Sequence, residues 1–145
     1  MKVFCSYAHQ DASLLLEFKT QLSVMERTGL IEVWSDKAIP AGTEWEPQID
    51  ENLEKADIVL LFVSSYFLAS DYCWKEMMRA LERHRAKEAR VIPILVRPAV
   101  VDGTPIADLQ MLPPGKIAVT RFKDPHEGWA TVAEKLRKVV IELRA

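Results

Sequence analysis

Tyr72 and Glu76 stand four residues apart in the segment Asp71-Tyr72-Cys73-Trp74-Lys75-Glu76. On a helix that spacing puts both on one face, so a flat aromatic ring lies beside a carboxylate. It is the most chemically suggestive pair in the chain. His9, His84 and His126 are scattered, and none has a serine or cysteine and an acid near it in the manner of a hydrolytic triad. Cys5 and Cys73 form no Cys-x-x-Cys motif, so neither a zinc site nor a disulfide framework is indicated, and both read as reduced core residues.

The elements around this pair suggest why it lines a crevice. Ile58 to Val63 is an unbroken apolar run, the pattern of a central parallel strand covered on both faces. Ser64 and Ser65 end it, and Ser70 or Asp71 caps the helix that carries Tyr72 and Glu76. In an open α/β sheet ligands sit beyond the carboxyl ends of the strands, which is where this segment lies. Lys2 to Cys5 is a first strand, and the polar loop Ser6-Tyr7-Ala8-His9-Gln10 leaves its carboxyl end as a second wall of the same crevice.

Along the rest of the chain, Asp11 reads as the cap of a helix with Leu14, Leu15, Phe18, Leu22 and Met25 at the 3.6-residue period, stopped by Gly29. Leu30 to Trp34 is a second strand. The loop Ser35 to Gly42 follows, punctuated by Pro40 and Gly42, with Asp36 suited to organising its turn and Ile39 apolar without a core role. Thr43 and Glu46 make a capping box for a helix from Glu44 to Lys55, with Pro47 in its first turn. The charged stretch Glu82 to Glu88 reads as a solvated face. Val91 to Val96 is a fourth strand whose Pro93 implies a bulge or a place near the edge. Arg97 to Gly115, with four prolines, is a long loop, and Ile117 to Val119 is a weak fifth strand. Asp124-Pro125-His126-Glu127 opens a last helix through Leu143.

Five strands alternating with helices predict a flavodoxin-like three-layer α/β fold, a parallel sheet in the order 2-1-3-4-5 with helices on both faces. At 145 residues the chain reads as a single domain spanning 1–145. A composition 49% hydrophobic and 28% charged excludes a disordered tail, and no apolar run approaches the roughly 20 residues that span a bilayer. The start of the chain turns polar too soon for a secretion signal, so the cytoplasm is the expected location. A net charge of −2 with interleaved signs gives no electrostatic case for nucleic acid.

Taken in order, four stretches resemble the TIR (Toll/interleukin-1 receptor) domain of bacterial type. VFCSYAHQD is similar to its first box, WSDKAIPAGTEW to its second, LLFVSSYFLASDYCWKEM to the strand and helix that carry its glutamate, and VIPILVRP to its fourth strand. Enzymatic members cleave NAD at the nicotinamide–ribose bond, and the resemblance implies Glu76, in Cys73-Trp74-Lys75-Glu76, as the catalytic residue. It further implies Ser6, Tyr7, Trp34, Asp36 and Tyr72 as substrate contacts. Ile39, Pro40 and Gly42 would belong to a loop that docks on a neighbouring subunit. NAD⁺ would be the substrate, with no separate cofactor and no metal. Expected partners are other TIR domains in a homo-oligomer or filament and a fused or associated sensor.

Tyr72 stands where such enzymes often have Trp, which leaves open whether the product is linear or cyclised ADP-ribose. The activity expected is that of an NAD⁺ nucleosidase serving as the effector of an anti-phage system. The rival reading is a non-catalytic TIR–TIR interaction module. A phosphoacceptor receiver domain shares the fold but needs acids after the first strand and a lysine after the fifth, where this chain has Ser6-Tyr7 and Thr120.

Overall fold

Ile58–Val63 is buried at all six positions, as a strand flanked by other strands and covered on both faces must be. A computed structural model describes residues 1–35 and 51–145. In chain order its elements are β1 (Lys2–Ser6), α1 (Ala12–Gln21), α2 (Ser23–Arg27), β2 (Glu32–Ser35), α3 (Glu51–Lys55), β3 (Ile58–Val63), α4 (Ser65–Ala69), α5 (Asp71–Arg85), β4 (Arg90–Leu95) and α6 (Pro125–Arg144). The strands form a parallel sheet in the order β2-β1-β3-β4.

Side chains alternate across this sheet with period two, and each face has its own core. Val3, Cys5, Ile58, Leu60, Phe62, Ile92 and Ile94 face α1, α2 and α6. There Phe18, Phe62 and Trp129 gather, with Phe18 and Trp129 ring centroids 5.0 Å apart. Phe4, Val59, Leu61, Val63, Val91 and Leu95 face the other way, against Leu53 of α3, Phe67 of α4 and Cys73, Met77, Ala80 and Leu81 of α5. The three-layer α/β fold is as expected.

Its details differ from the sequence expectation in several places. Ile117 to Val119 forms no strand. Leu112 meets the outer edge of β4 through a parallel bridge to Ile94, and Val119–Arg121 curls into a 3-10 turn whose Thr120 N–H donates to the Val96 carbonyl. The helix expected from Asp11 to Gly29 is broken at Leu22 into α1 and α2. Asp11 stands at the expected N-cap position of α1 but makes no side-chain capping bond, because its side chain is buried and engaged elsewhere. In the charged stretch Glu82–Glu88, Arg83 is buried. Gly29 does stop α2: its φ of +75° closes a Schellman turn in which Leu30 N–H donates to the Met25 carbonyl. Asp36, Ile39, Pro40, Gly42 and the capping box of Thr43 and Glu46 lie outside the described residues.

Pro93 explains much about the edge of the sheet. It pairs in register with Leu61 and sits on β4, the last strand of the described sheet. Alternate residues of β4 turn away from β3. Of their N–H groups, Val91 donates to His84 Nδ1 at 3.0 Å, Leu95 donates to the Leu112 carbonyl at 2.8 Å, and Pro93 has none to offer. An edge treated this way presents little to a pairing strand.

Arg83 links the end of α3 to α5, donating through Nη1 to the carbonyls of Leu53 (2.6 Å) and Ala56 (2.9 Å). Those are carbonyls at the carboxyl end of α3, where a cation is favoured. Arg83→Met removes these donors and leaves buried acceptors unmet. It is expected to lower unfolding free energy by about 2–4 kcal/mol in chemical denaturation. Lys87, by contrast, holds φ +59° in a Schellman turn closing α5, where Glu88 N–H donates to the Arg83 carbonyl. Since glycine takes that backbone without the Cβ clash, Lys87→Gly is expected to raise stability by about 0.5–1 kcal/mol in the same assay.

Candidate active site

Ser6 ends β1, and by the alternation that turns Phe4 toward α5 its side chain faces α5 as well. On α5 the inward stripe runs Cys73, Glu76, Met77, Ala80 and Leu81, all buried. The two meet: Ser6 Oγ donates to Glu76 Oε1 at 2.7 Å, and both residues are 0% exposed. A carboxylate taken wholly out of water needs hydrogen bonds to its ionised form, and this is one of them.

The start of α5 is local in origin. Ser70 accepts from Cys73 N–H at 3.2 Å as the N-cap, one of the two caps expected. Just before it lies α4, a short helix with no counterpart in the sequence expectation. Ser64 caps this short helix by accepting from Phe67 N–H, and Trp74 Nε1 ties it to α5 by donating to the Leu68 carbonyl.

The other expected site residues are placed as follows. Tyr72, one turn before Glu76, is half-buried. Tyr7, next after Ser6, packs on the opposite core with α1 and α6. Trp34 lies on the α5 side of the sheet in register with Phe4, where its Nε1 donates to Glu32 Oε1 at 2.8 Å and Lys2 Nζ sits 4.9 Å from its ring centroid. Those two partners belong to positions nearer the amino ends of β1 and β2, so the polar contacts of Trp34 point away from Ser6. Asp36 and the residues Ile39, Pro40 and Gly42 are outside the described residues. Among the described residues no three His, Cys, Asp or Glu side chains gather as a metal site.

A second buried carboxylate lies close in sequence to Ser6 and was not read as part of the site. Asp11, 0% exposed, accepts from Ser64 Oγ through Oδ2 at 2.5 Å and from Arg97 Nε through Oδ1 at 2.6 Å. Arg97 also lies over the ring of Tyr66, 5.8 Å from its centroid. The contact joins the loop after β1 to the residues that follow β3 and β4. Its partners lie 53 and 86 residues from Asp11, and no periodicity or short motif marks such a pairing. A buried aspartate five residues after Ser6 is equally well read as a helix cap from sequence alone.

Ser6 and Glu76 thus meet at the carboxyl end of β1, with Tyr72 one turn earlier on α5. Comparison with known proteins agrees on the fold and family. A family model described as "TIR domain" matches residues 3–136. The protein y4lF of Sinorhizobium fredii (strain NBRC 101917 / NGR234) is 41% identical over 137 residues, 94% of this chain, and the chain spans 42% of the length of that curated relative. The crystal structure of the TIR domain of the Toll-related receptor TRR-2 from Hydra magnipapillata aligns with a TM-score of 0.56 at 21% identity, over 77% of this chain and 81% of that one. The TIR domains of the activated Roq1 resistosome align at 0.47 and 19% identity, over 65% and 57% of the two chains. With nearly its whole length matched by the family model, this chain belongs to the TIR domain family.

Proposed function

We propose that this TIR domain, of bacterial type, cleaves NAD⁺ between nicotinamide and ribose, with Glu76 as the catalytic carboxylate. The observation that carries the reading is the hydrogen bond by which Ser6, at the carboxyl end of β1, fixes the Glu76 carboxylate. Nicotinamide is cationic in NAD⁺ and leaves as a neutral molecule, so this cleavage needs no general acid, unlike that of an ordinary glycoside. The demand is instead to stabilise an oxocarbenium-like ribose. A carboxylate in a dry pocket supplies opposite charge and an acceptor for a ribose hydroxyl, and such preorganised electrostatics is commonly the largest catalytic contribution. Tyr72, half-buried one turn away, offers a ring for stacking, and Ser6 orients the carboxylate. Tyr7, Trp34 and Asp36 complete the proposed set of substrate contacts. The products are nicotinamide and ADP-ribose or a cyclic isomer of it. NAD⁺ is the substrate, and neither a separate cofactor nor a metal is invoked.

In the same proposal the domain is the cytoplasmic effector of an anti-phage defence system, coupled to a sensor and active when it assembles with other TIR domains. Ile39, Pro40 and Gly42 form the docking loop. No described helix is long and apolar enough to cross a membrane, which fits a domain that acts away from the bilayer. One observation favours the alternative of a non-catalytic assembly module: at 0% exposure Glu76 is closed to solvent in this conformation.

Two measurements test these readings. Glu76→Gln keeps the shape and removes the charge, and is expected to slow nicotinamide release about 100- to 1,000-fold without shifting thermal unfolding. A variant as fast as wild type would remove Glu76 from the chemistry. Specific activity is also expected to rise with protein concentration, and Ile39→Asp to cut it at unchanged thermal stability. Constant specific activity on dilution, with a fully active Ile39→Asp, would show the pocket complete within one chain. Self-association without nicotinamide release at any concentration would favour the assembly module.

A further inference from the structure

Four residues separate the two buried carboxylate contacts on the loop that leaves β1. At one end Ser6 reaches Glu76, and at the other Asp11 is held by Ser64 and Arg97. Between them the chain makes one tight turn, Asp11 N–H donating to the Ala8 carbonyl at 2.8 Å, while His9 and Gln10 are exposed. Tyr7 packs on the α1 side of the sheet and Ala8 is buried on the α5 side, so packing holds the wall as far as Ala8 and the contacts of Asp11 hold it beyond.

The two holds on Asp11 are not equivalent. Ser64 is buried and also caps α4, so it belongs to the core. The Arg97 side chain is 35% exposed and reaches in from the surface beside Tyr66. A hydroxyl alone is a poor partner for an ionised carboxylate in a dry site, whereas a guanidinium supplies opposite charge along with its hydrogen bond. Without it, Asp11 keeps only the Ser64 hydroxyl of these two side-chain donors.

We propose that Arg97 is a positioning residue for Glu76: it acts through Asp11 to fix the wall from Ser6 to Asp11, so that the Ser6 hydroxyl stays in place against the carboxylate. The proposal rests on the reading that Glu76 performs the chemistry, and it adds a part to the site that lies outside the substrate pocket. The route is Arg97 to Asp11, along the loop to Ser6, and from Ser6 to Glu76. A displacement of about 1 Å at a reacting group is enough to cost on the order of 100-fold in rate.

The test uses Arg97→Ala, Arg97→Lys, Asp11→Asn and the double variant Arg97→Ala/Asp11→Asn in the full chain. Steady-state nicotinamide release from NAD⁺ is measured alongside amide hydrogen exchange. Arg97→Ala is expected to lower kcat about 10- to 100-fold with little change in KM, and Arg97→Lys to recover part of the loss. The double variant should be no slower than the worse single one, since both act through one contact. Amides of residues 7–11 should exchange faster in Arg97→Ala, with those of α6 unchanged. Faster exchange throughout the chain would make the contact a matter of global stability and overturn the proposal. So would unchanged kcat, or unchanged exchange at residues 7–11. If wild type releases no nicotinamide, the catalytic reading fails on its own, and hydrogen exchange still decides whether Arg97 holds the wall.

Discussion

A carboxylate leaves water only where donors are waiting for it, and among the described residues two are fully buried, at the carboxyl ends of adjacent strands. Glu76 and Asp11 are each 0% exposed, and each accepts from a serine that ends or follows a strand, Ser6 after β1 and Ser64 after β3. β1 and β3 are neighbours in the sheet, Ser6 lying opposite Leu61. That adjacency is where the chain changes direction across the sheet, with β2 on one side of β1 and β4 on the far side of β3. Crevices form at such switch points because the helices on either side of them pack on opposite faces.

Most of this frame was legible in the sequence, because burial of apolar residues has a period. The continuous apolar run of β3 matched its bounds, Ile58 to Val63, and the Asp124-Pro125 start of α6 and the Gly29 stop of α2 were local signals that the structure bears out. Pro93 identified an edge for a reason confined to its own backbone: it has no N–H to pair. The same reasoning overreached at Ile117 to Val119. A short apolar run is compatible with a strand, but here it supplies Ile117 to the surface and Val119 to the core through a 3-10 turn, while the edge of β4 is met by Leu112. Apolar character says that a segment packs; it does not say which edge it packs along.

Polar contacts in the site were legible only where a motif or a short spacing marked them. Tyr72 and Glu76 could be placed together because a helix repeats every 3.6 residues, and Ser6 because it follows a strand. That Ser6 donates to Glu76, 70 residues on, has no signature in either local sequence. Asp11, Ser64 and Arg97 are a still clearer case. Aspartate before an amphipathic run is the usual mark of an N-cap, and at Asp11 the tertiary contact took the side chain instead. Arg83 shows the same effect in a charged stretch, since the carbonyls at the end of α3 draw in a residue that charge patterning alone would leave in solvent.

Strand parity explains why the two carboxylates are kept apart. Ser6 shares the face of Phe4 and so meets the helix on that side, α5, with Glu76. Ser64 follows the parity of Leu60 and Phe62, which face α1, and it meets Asp11 at the beginning of that helix. The two serines therefore point to opposite sides of one sheet, although their strands are hydrogen-bonded neighbours. A slip of one residue that brought Cys5 or Val63 to these positions would replace the serine hydroxyl and leave a buried carboxylate without that donor. The hydrogen bonds at the strand ends thus reinforce the register that the hydrophobic alternation already favours. The loop from Ser6 to Asp11 crosses from one face to the other between them, with Tyr7 packed on one core and Ala8 buried in the other. Arg97 brings to the far end of this loop a formal charge opposite to that of Asp11.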